Sequence, residues 1–397
     1  MYVYADNAAT TKLSEAAKMA MLPYFDELYA NPSSIHSSGQ RIKDDINQAR
    51  QTVADVIGAA QASEITFTSG GTESDNQAII SAATLGAERR KKHIISSSFD
   101  HHAVLHTLNK LKKQGFEITL IAPEPNGIVS VEKVAAEIRQ DTALVSIMYA
   151  NNEIGTIQPI TEMGAICRKN GILFHTDAVQ AVGHLPIDVQ KQNIDLLSFS
   201  AHKFHGPKGI GGLYARRGTA LSRLIEGGGQ EKSRRPGTEN VPGIIGLAAA
   251  IKEAYQNIDR ESAYLLSLRE KILNSLLAIP GSRLNGDLQN RLPGNISISF
   301  EGLDSESLIL LLDNKGISVS NGSACNSVST QPSHVLRSIG VPKEYIRGTL
   351  RITLGRYNTE EEADYIIANV TESVNYLRSF SPVWKNSRKE DSPYAVQ

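Results

Sequence analysis

The sequence predicts an α/β fold, a mostly parallel sheet covered on both faces by helices, with a smaller α+β region after it. Three observations predict this. Short β-branched, apolar runs alternate with longer helix-like stretches from about residue 63 to 216. The runs are continuously apolar rather than alternating, as strands buried on both faces are. Polar clusters rich in Gly, Ser and Asn follow directly on the runs, where sheets of this type gather their functional groups.

Taken in order, EITFT (64–68) leads into SGGTESDNQAIISAATLG, and HIISSS (93–98) leads into AVLHTLNKLKKQG. FEITLIA (116–122), ALVSIMYA (143–150), ILFHTDAV (172–179) and LLSFSAH (196–202) keep the same rhythm. The pattern changes after about residue 256. A long amphipathic stretch, DRESAYLLSLREKILNSLLAI, precedes NISISF, a helix-like SESLILLLDNKG, then ISVS and TLRITLG. The last helix, TEEEADYIIANVTESVNYLRSF, opens on a Thr N-cap with an acidic first turn, which suits the positive end of the helix dipole. The expected division is a large α/β domain over 14–257, a small α+β domain from 1–13 with 258–380, and a polar tail over 381–397. No repeat at a solenoid period is visible.

A chain of 397 residues, 41% hydrophobic, can bury a large core. Its formal net charge of -1 gives no reason to expect a nucleic acid or an anionic membrane as partner. No apolar run approaches the ~20 residues that span a bilayer. The opening MYVYADNAATTK lacks the charged and apolar regions of a secretory signal. Two cysteines, Cys167 and Cys325, are too few for a disulfide framework, so a reducing cytoplasm is the expected setting.

The residues that could carry chemistry follow the strands. Lys203, in SFSAHKFHGPKG, leaves an apolar strand just before a Gly/Pro turn. Desolvation there favours the uncharged amine, which can form an imine, whereas an ordinary strand-end lysine would reach into solvent. Asp177, in HTDAVQ, ends a buried strand, a poor place for an unpaired carboxylate. Opposite a pyridinium nitrogen it would be paired, with Gln180 close by; the alternative is a helix N-cap. TSGGTESDN (68–76) offers backbone amides at a helix start, suited to phosphate, and lacks the Gly-Lys-Ser/Thr of a nucleotide P-loop. Cys325 lies in the small, polar stretch NGSACNSVST, a setting for a reactive thiol, whereas Cys167 sits on the apolar face of a helix. His101, His102 and His106 contain an i, i+4 pair, and His202 and His205 are three apart, but no carboxylate or cysteine pattern completes a metal set and no metal is expected.

NPSSIH, TSGGTESDN, DHHAVL, NNEIGTIQ, HTDAVQ, SAHKFHGPKG, RRPGTENV, NGSACNS and LGRYNTEEE occur in one order over nearly the whole chain. In this the sequence resembles the cysteine desulfurases, and its cysteine segment resembles their long-loop branch, which serves iron–sulfur-cluster assembly and tRNA thiolation. The resemblance implies a fold-type I, pyridoxal-phosphate-dependent transferase with a seven-stranded, mostly parallel sheet in its large domain. It implies Lys203 as the Schiff-base lysine, Asp177 against the pyridine nitrogen, Gln180 on the phenolic oxygen and His101 stacked on the ring as an acid–base helper. Gly71, Thr72, Ser200 and His202 would bind phosphate, and Thr238 would reach the phosphate of the neighbouring subunit in a homodimer. Asn152 and Arg356 would hold the substrate carboxylate. Cys325 would take the sulfur of L-cysteine as a persulfide, leaving alanine, and pass it to an acceptor protein. Asn326 departs from the Ser or Thr common after the cysteine, and SPVWKNSRKEDSPYAVQ lacks the longer ending associated with scaffold docking. A selenocysteine lyase, an aminotransferase on the same fold and an inactive regulatory homologue are the alternatives.

Overall fold

The computed structural model describes residues 1–322 and 332–384. Twelve strands appear among them: β1 (Val3–Tyr4), β2 (Ile65–Thr68), β3 (His93–Ser97), β4 (Glu117–Ile121), β5 (Thr142–Ser146), β6 (Leu173–Asp177), β7 (Leu196–Ser200), β8 (Gly211–Ala215), β9 (Ser282–Leu284), β10 (Asn295–Phe300), β11 (Ile317–Ser318) and β12 (Thr349–Thr353). Seven of them form one sheet in the order β2-β8-β7-β6-β5-β3-β4. Pairing is parallel throughout except around β8, which runs antiparallel to both β2 and β7. The expected α/β sheet of seven strands is therefore present.

The seventh strand, β8, is the one whose apolar run is weakest, because it begins Gly-Gly. The reason is packing. The ring of Phe199 on β7 lies over Gly212, and a Cβ at that position would overlap it. Both sheet faces are covered. Ile95, Val145, Phe174, Leu197 and Phe199 point into one core, together with Ile42, Ile46 and Val53 of the helix Ser37–Val56. Ile94, Leu144, Leu196 and Leu213 point the other way, onto Ala78, Ile79, Ala82 and Ala83 of the helix Gly71–Glu88.

The helix expected from about residue 259 begins earlier, at Val241, and runs unbroken to Leu277. Asn240 caps it, Pro242 occupies its first turn, and no proline intervenes afterwards. Its first half buries Ile244, Leu247 and Ile251 in the sheet core. Its second half buries Leu265, Leu268, Ile272 and Leu276 in a separate core with Ile296 and Ile298 of β10 and Leu350 and Ile352 of β12. There β10 is central, antiparallel to β12 and β9, while β1 pairs in parallel with β11. The helix Glu360–Phe380 opens with the expected Thr359 cap, here as a full capping box with Glu362. No helix among the described residues is long and apolar enough to cross a membrane.

A Gly212→Ala chain should be destabilised by about 1–3 kcal/mol through overpacking against Phe199. Chemical denaturation of the two proteins side by side checks this; an unchanged midpoint would contradict the packing argument.

Candidate active site

Parallel register lines up one face of the sheet. Ser146 on β5 lies opposite His175 on β6, and Asp177 lies opposite Ser198 on β7. One residue lies between His175 and Asp177 and one between Ser198 and Ser200, so all five side chains point to the same side. That side is apolar at its start, with Leu144 and Leu196, and turns polar at the carboxyl ends of the strands. The helix Gly71–Glu88 lies across it. A cavity of about 420 Å³ opens where these elements end, a volume that suits a small-molecule site.

Nine of the residues named from the sequence line this cavity: Gly71, Thr72, His101, Asn152, Asp177, Gln180, Ser200, His202 and Lys203. Lys203 ends the short turn Ala201–Lys203 that follows β7 directly. Its Nζ donates to the carbonyls of Ala8 and Ala9 at 2.6 and 2.8 Å. Gln180 Nε2 donates to the same Ala8 carbonyl at 3.0 Å, and the His202 ring meets the Thr10 hydroxyl at 3.1 Å. The N-terminal segment thus forms one wall of the cavity.

Asp177 is buried at the end of β6, and no α-helix follows it. Its Oδ1 accepts the Val179 N–H at 2.9 Å, a local Asx-type turn in place of a helix cap. Burial raises its proton affinity, although the charge of Lys203 opposes that. At the start of the helix Gly71–Glu88, the N-cap Gly70 brings no side-chain cap. A Cβ on Gly71 would come within 2.5 Å of Val179 Cγ2, so only glycine lets the helix end approach this wall. Backbone amides at such an end suit a phosphate.

His101 caps the helix His102–Lys113, its Nδ1 accepting the Ala103 N–H at 3.1 Å. The neutral ring therefore carries its proton on Nε2. An unperturbed imidazole titrates near neutrality, as an acid–base helper would; burial, and then the charge of Lys203, push that of His101 down to about 4. His102 and His106 stack on each other with centroids 4.9 Å apart, and His102 also faces His334 at 4.6 Å. His205 turns away to the Lys12 carbonyl. Cys167 is fully buried, and burial pushes its thiol up to about 12.

Three expected site residues stand apart. Arg356 does not line the cavity; it pairs with Glu253 at 3.0 Å and Glu261 at 3.3 Å, both on the continuous helix Val241–Leu277. Thr238 is exposed and outside the cavity lining. Cys325 lies outside the described residues. In turn, the cavity contains residues the sequence analysis does not single out. Arg351 is 2% exposed, donates to Asp6 at 2.8 Å and to the Asn152 carbonyl at 3.0 Å, and its charge in the middle of an apolar strand was the available signal. Asp75 lies one helical turn after Gly71, hence on the same helix face. Glu153, buried beside the cavity, accepts the Ser333 hydroxyl at 2.5 Å.

The cavity fits pyridoxal phosphate. It offers an amine at the wall, a buried carboxyl that a protonated ring nitrogen would pair, and a glycine-lined helix end for the phosphate. The comparisons with known proteins agree. Residues 3–366 match the aminotransferase class-V family. The cysteine desulfurase IscS of Methanosarcina thermophila is 53% identical over 96% of this chain and 94% of its own. The cysteine desulfurase NifS of Azotobacter vinelandii is 44% identical over 98% and 97%. A solved NifS-like protein superposes with a TM-score of 0.89 at 39% identity, covering 95% of this chain and all of that one, 100%. The chain belongs to the aminotransferase class-V family and, within it, to the cysteine desulfurases, which are pyridoxal-phosphate-dependent enzymes.

Proposed function

We propose that the protein binds pyridoxal phosphate at Lys203, takes sulfur from L-cysteine onto Cys325, and releases alanine. The convergence of nine expected residues on one cavity is the observation that supports this most strongly. When bound, the cofactor supplies an electron sink for charge developing at the substrate Cα. Lys203, once its amine is free, moves the Cα proton. Asp177 holds negative charge where the ring nitrogen would lie and keeps that nitrogen protonated. Gly71, Thr72, Ser200 and His202 hold the phosphate, and Gln180 orients the ring. Cys325 attacks the substrate sulfur as a thiolate, and the persulfide S–S bond forms as the substrate Cβ–S bond breaks, its electron pair staying with Cβ, which takes up a proton on the way to alanine.

His101 works as a neutral imidazole that presents its Nε2–H to the cavity. Asn152 binds the substrate carboxylate. Arg356 joins it by turning toward the cavity from Glu253 and Glu261, the carboxylates that hold its Nη1 and Nε. The acceptor is a protein of iron–sulfur-cluster assembly or tRNA thiolation, consistent with the likeness to IscS and NifS enzymes. We also read the chain as a cytoplasmic homodimer. Met19, Leu22, Phe25, Tyr29 and Ile35 are large apolar side chains left open to solvent, Ile35 at 96%. The exposure of Thr238 fits a residue that serves the neighbouring cavity.

Incubation with cysteine should yield alanine in step with a persulfide mapped to Cys325 by mass spectrometry. Cys325→Ala should keep the cofactor and lose the persulfide; sulfur release at the wild-type rate would reject the nucleophile assignment. His101 should act in its neutral form, which is full above about pH 5 and lost only as pH falls through about 4. His101→Gln should therefore lower kcat by roughly 10²–10⁴ without moving any limb of the pH profile between 6 and 9. A moved limb would show that His101 titrates there. For the dimer, Lys203→Ala chains mixed with Thr238→Ala chains should form heterodimers with one intact site, so that a class of sites with wild-type cofactor affinity appears that neither parent has. If Thr238 serves its own cavity, no intact site forms and nothing is recovered.

A further inference from the structure

Asp75 has no place in the roles above, yet it lines the cavity at 1% exposure. Its Oδ1 has no hydrogen-bond partner. It reaches the polar sheet face from the helix Gly71–Glu88, and donor atoms of Asp75, Asp177 and His101 all lie within 4.8 Å of one another. Two carboxylates so close in a buried site cannot both ionise without a compensating cation. The groups around them supply little. His175 Nε2 is 3.6 Å from Asp75 Oδ1, but its ring is engaged by the hydroxyls of Ser146 and Ser198 at 2.8 and 3.1 Å. Burial depresses that ring to about 3, so it is neutral. His101 is neutral as well, and the carboxyl of Asp100 adds like charge. Among the described residues, the cation whose charge acts on Asp177 is Lys203.

We propose that Asp75 and Asp177 form a buried carboxyl pair that shares one proton, with Asp75 as the neutral positioning residue that limits the pair to one negative charge. Burial first, and then the charge of Asp177, raise the proton affinity of Asp75, while a hydrogen bond with Ser198 opposes them. Val179 already holds Asp177 Oδ1 from the other side. A neutral Asp75 lets Asp177 meet a single positive charge with a single negative one, in a place where water cannot screen a surplus. The link to the ring nitrogen rests on the role proposed for Asp177; the shared proton does not.

The test compares the holoenzyme with Asp75→Asn and Asp75→Ala. Infrared difference spectra at pH 7 should contain a protonated carboxyl C=O band that Asp75→Asn removes. No loss of such a band would mean that Asp75 is ionised, and would overturn the proposal. Cofactor affinity gives a second readout. Asp75→Asn, a neutral isostere, should bind pyridoxal phosphate within about threefold of wild type, whereas Asp75→Ala should bind about tenfold more weakly. Equal affinities for the two variants would also overturn it. Asp177→Asn tests the ring-partner role: unchanged affinity there would reject that role, while the infrared band of Asp75, read with Asp177 intact, still decides the pair.

Discussion

Everything at the site depends on the parallel register of β5, β6 and β7. Parallel pairing points all three carboxyl ends the same way and fixes which side chains share a face. A slip of one residue in β6 would turn His175 and Asp177 to the opposite core, among Val145, Leu197 and Phe199, and would turn Phe174 out of it. The register is held because Phe174, Leu197 and Phe199 are buried in that other core. Hydrophobic burial on one face therefore specifies the position of the polar groups on the other.

Burial sets the chemistry of those polar groups as much as their identity does. Asp75, Asp100 and Asp177 are pushed toward their protonated forms. His101, His175 and His202 are pushed toward their neutral forms. Both shifts have one cause, the loss of water around a charge. The floor of the cavity is thus poor in net charge, and the charges that persist there are the paired ones, such as Arg351 with Asp6.

The N-terminal segment ties the two cores to the cavity. β1 pairs with β11, the Asn7 N–H and side-chain amide both donate to the Thr353 carbonyl, and Ala8 and Ala9 meet Lys203. Arg351 extends the same tie, from Asp6 to the loop holding Asn152. The loop that carries Asn152 is in this way one hydrogen bond from the smaller sheet.

Much of this was legible in the sequence, for a physical reason. Strand burial shows as continuous apolar runs, caps show as Thr359 with Glu362, and polar groups on a parallel sheet gather where the strands end, as Asp177 and Lys203 do. Even the thiol buried at Cys167 is visible in helical periodicity. Sequence could not fix distances between segments far apart in the chain. Only the tertiary structure brings Asp75 to Asp177, places Arg351 in the cavity and turns Arg356 toward Glu253 and Glu261. Nor could it fix the titration of His101, because desolvation depends on what surrounds the ring rather than on its neighbours in sequence. Local patterning determined which residues are available for the chemistry; packing decided which of them meet, and in what charge state.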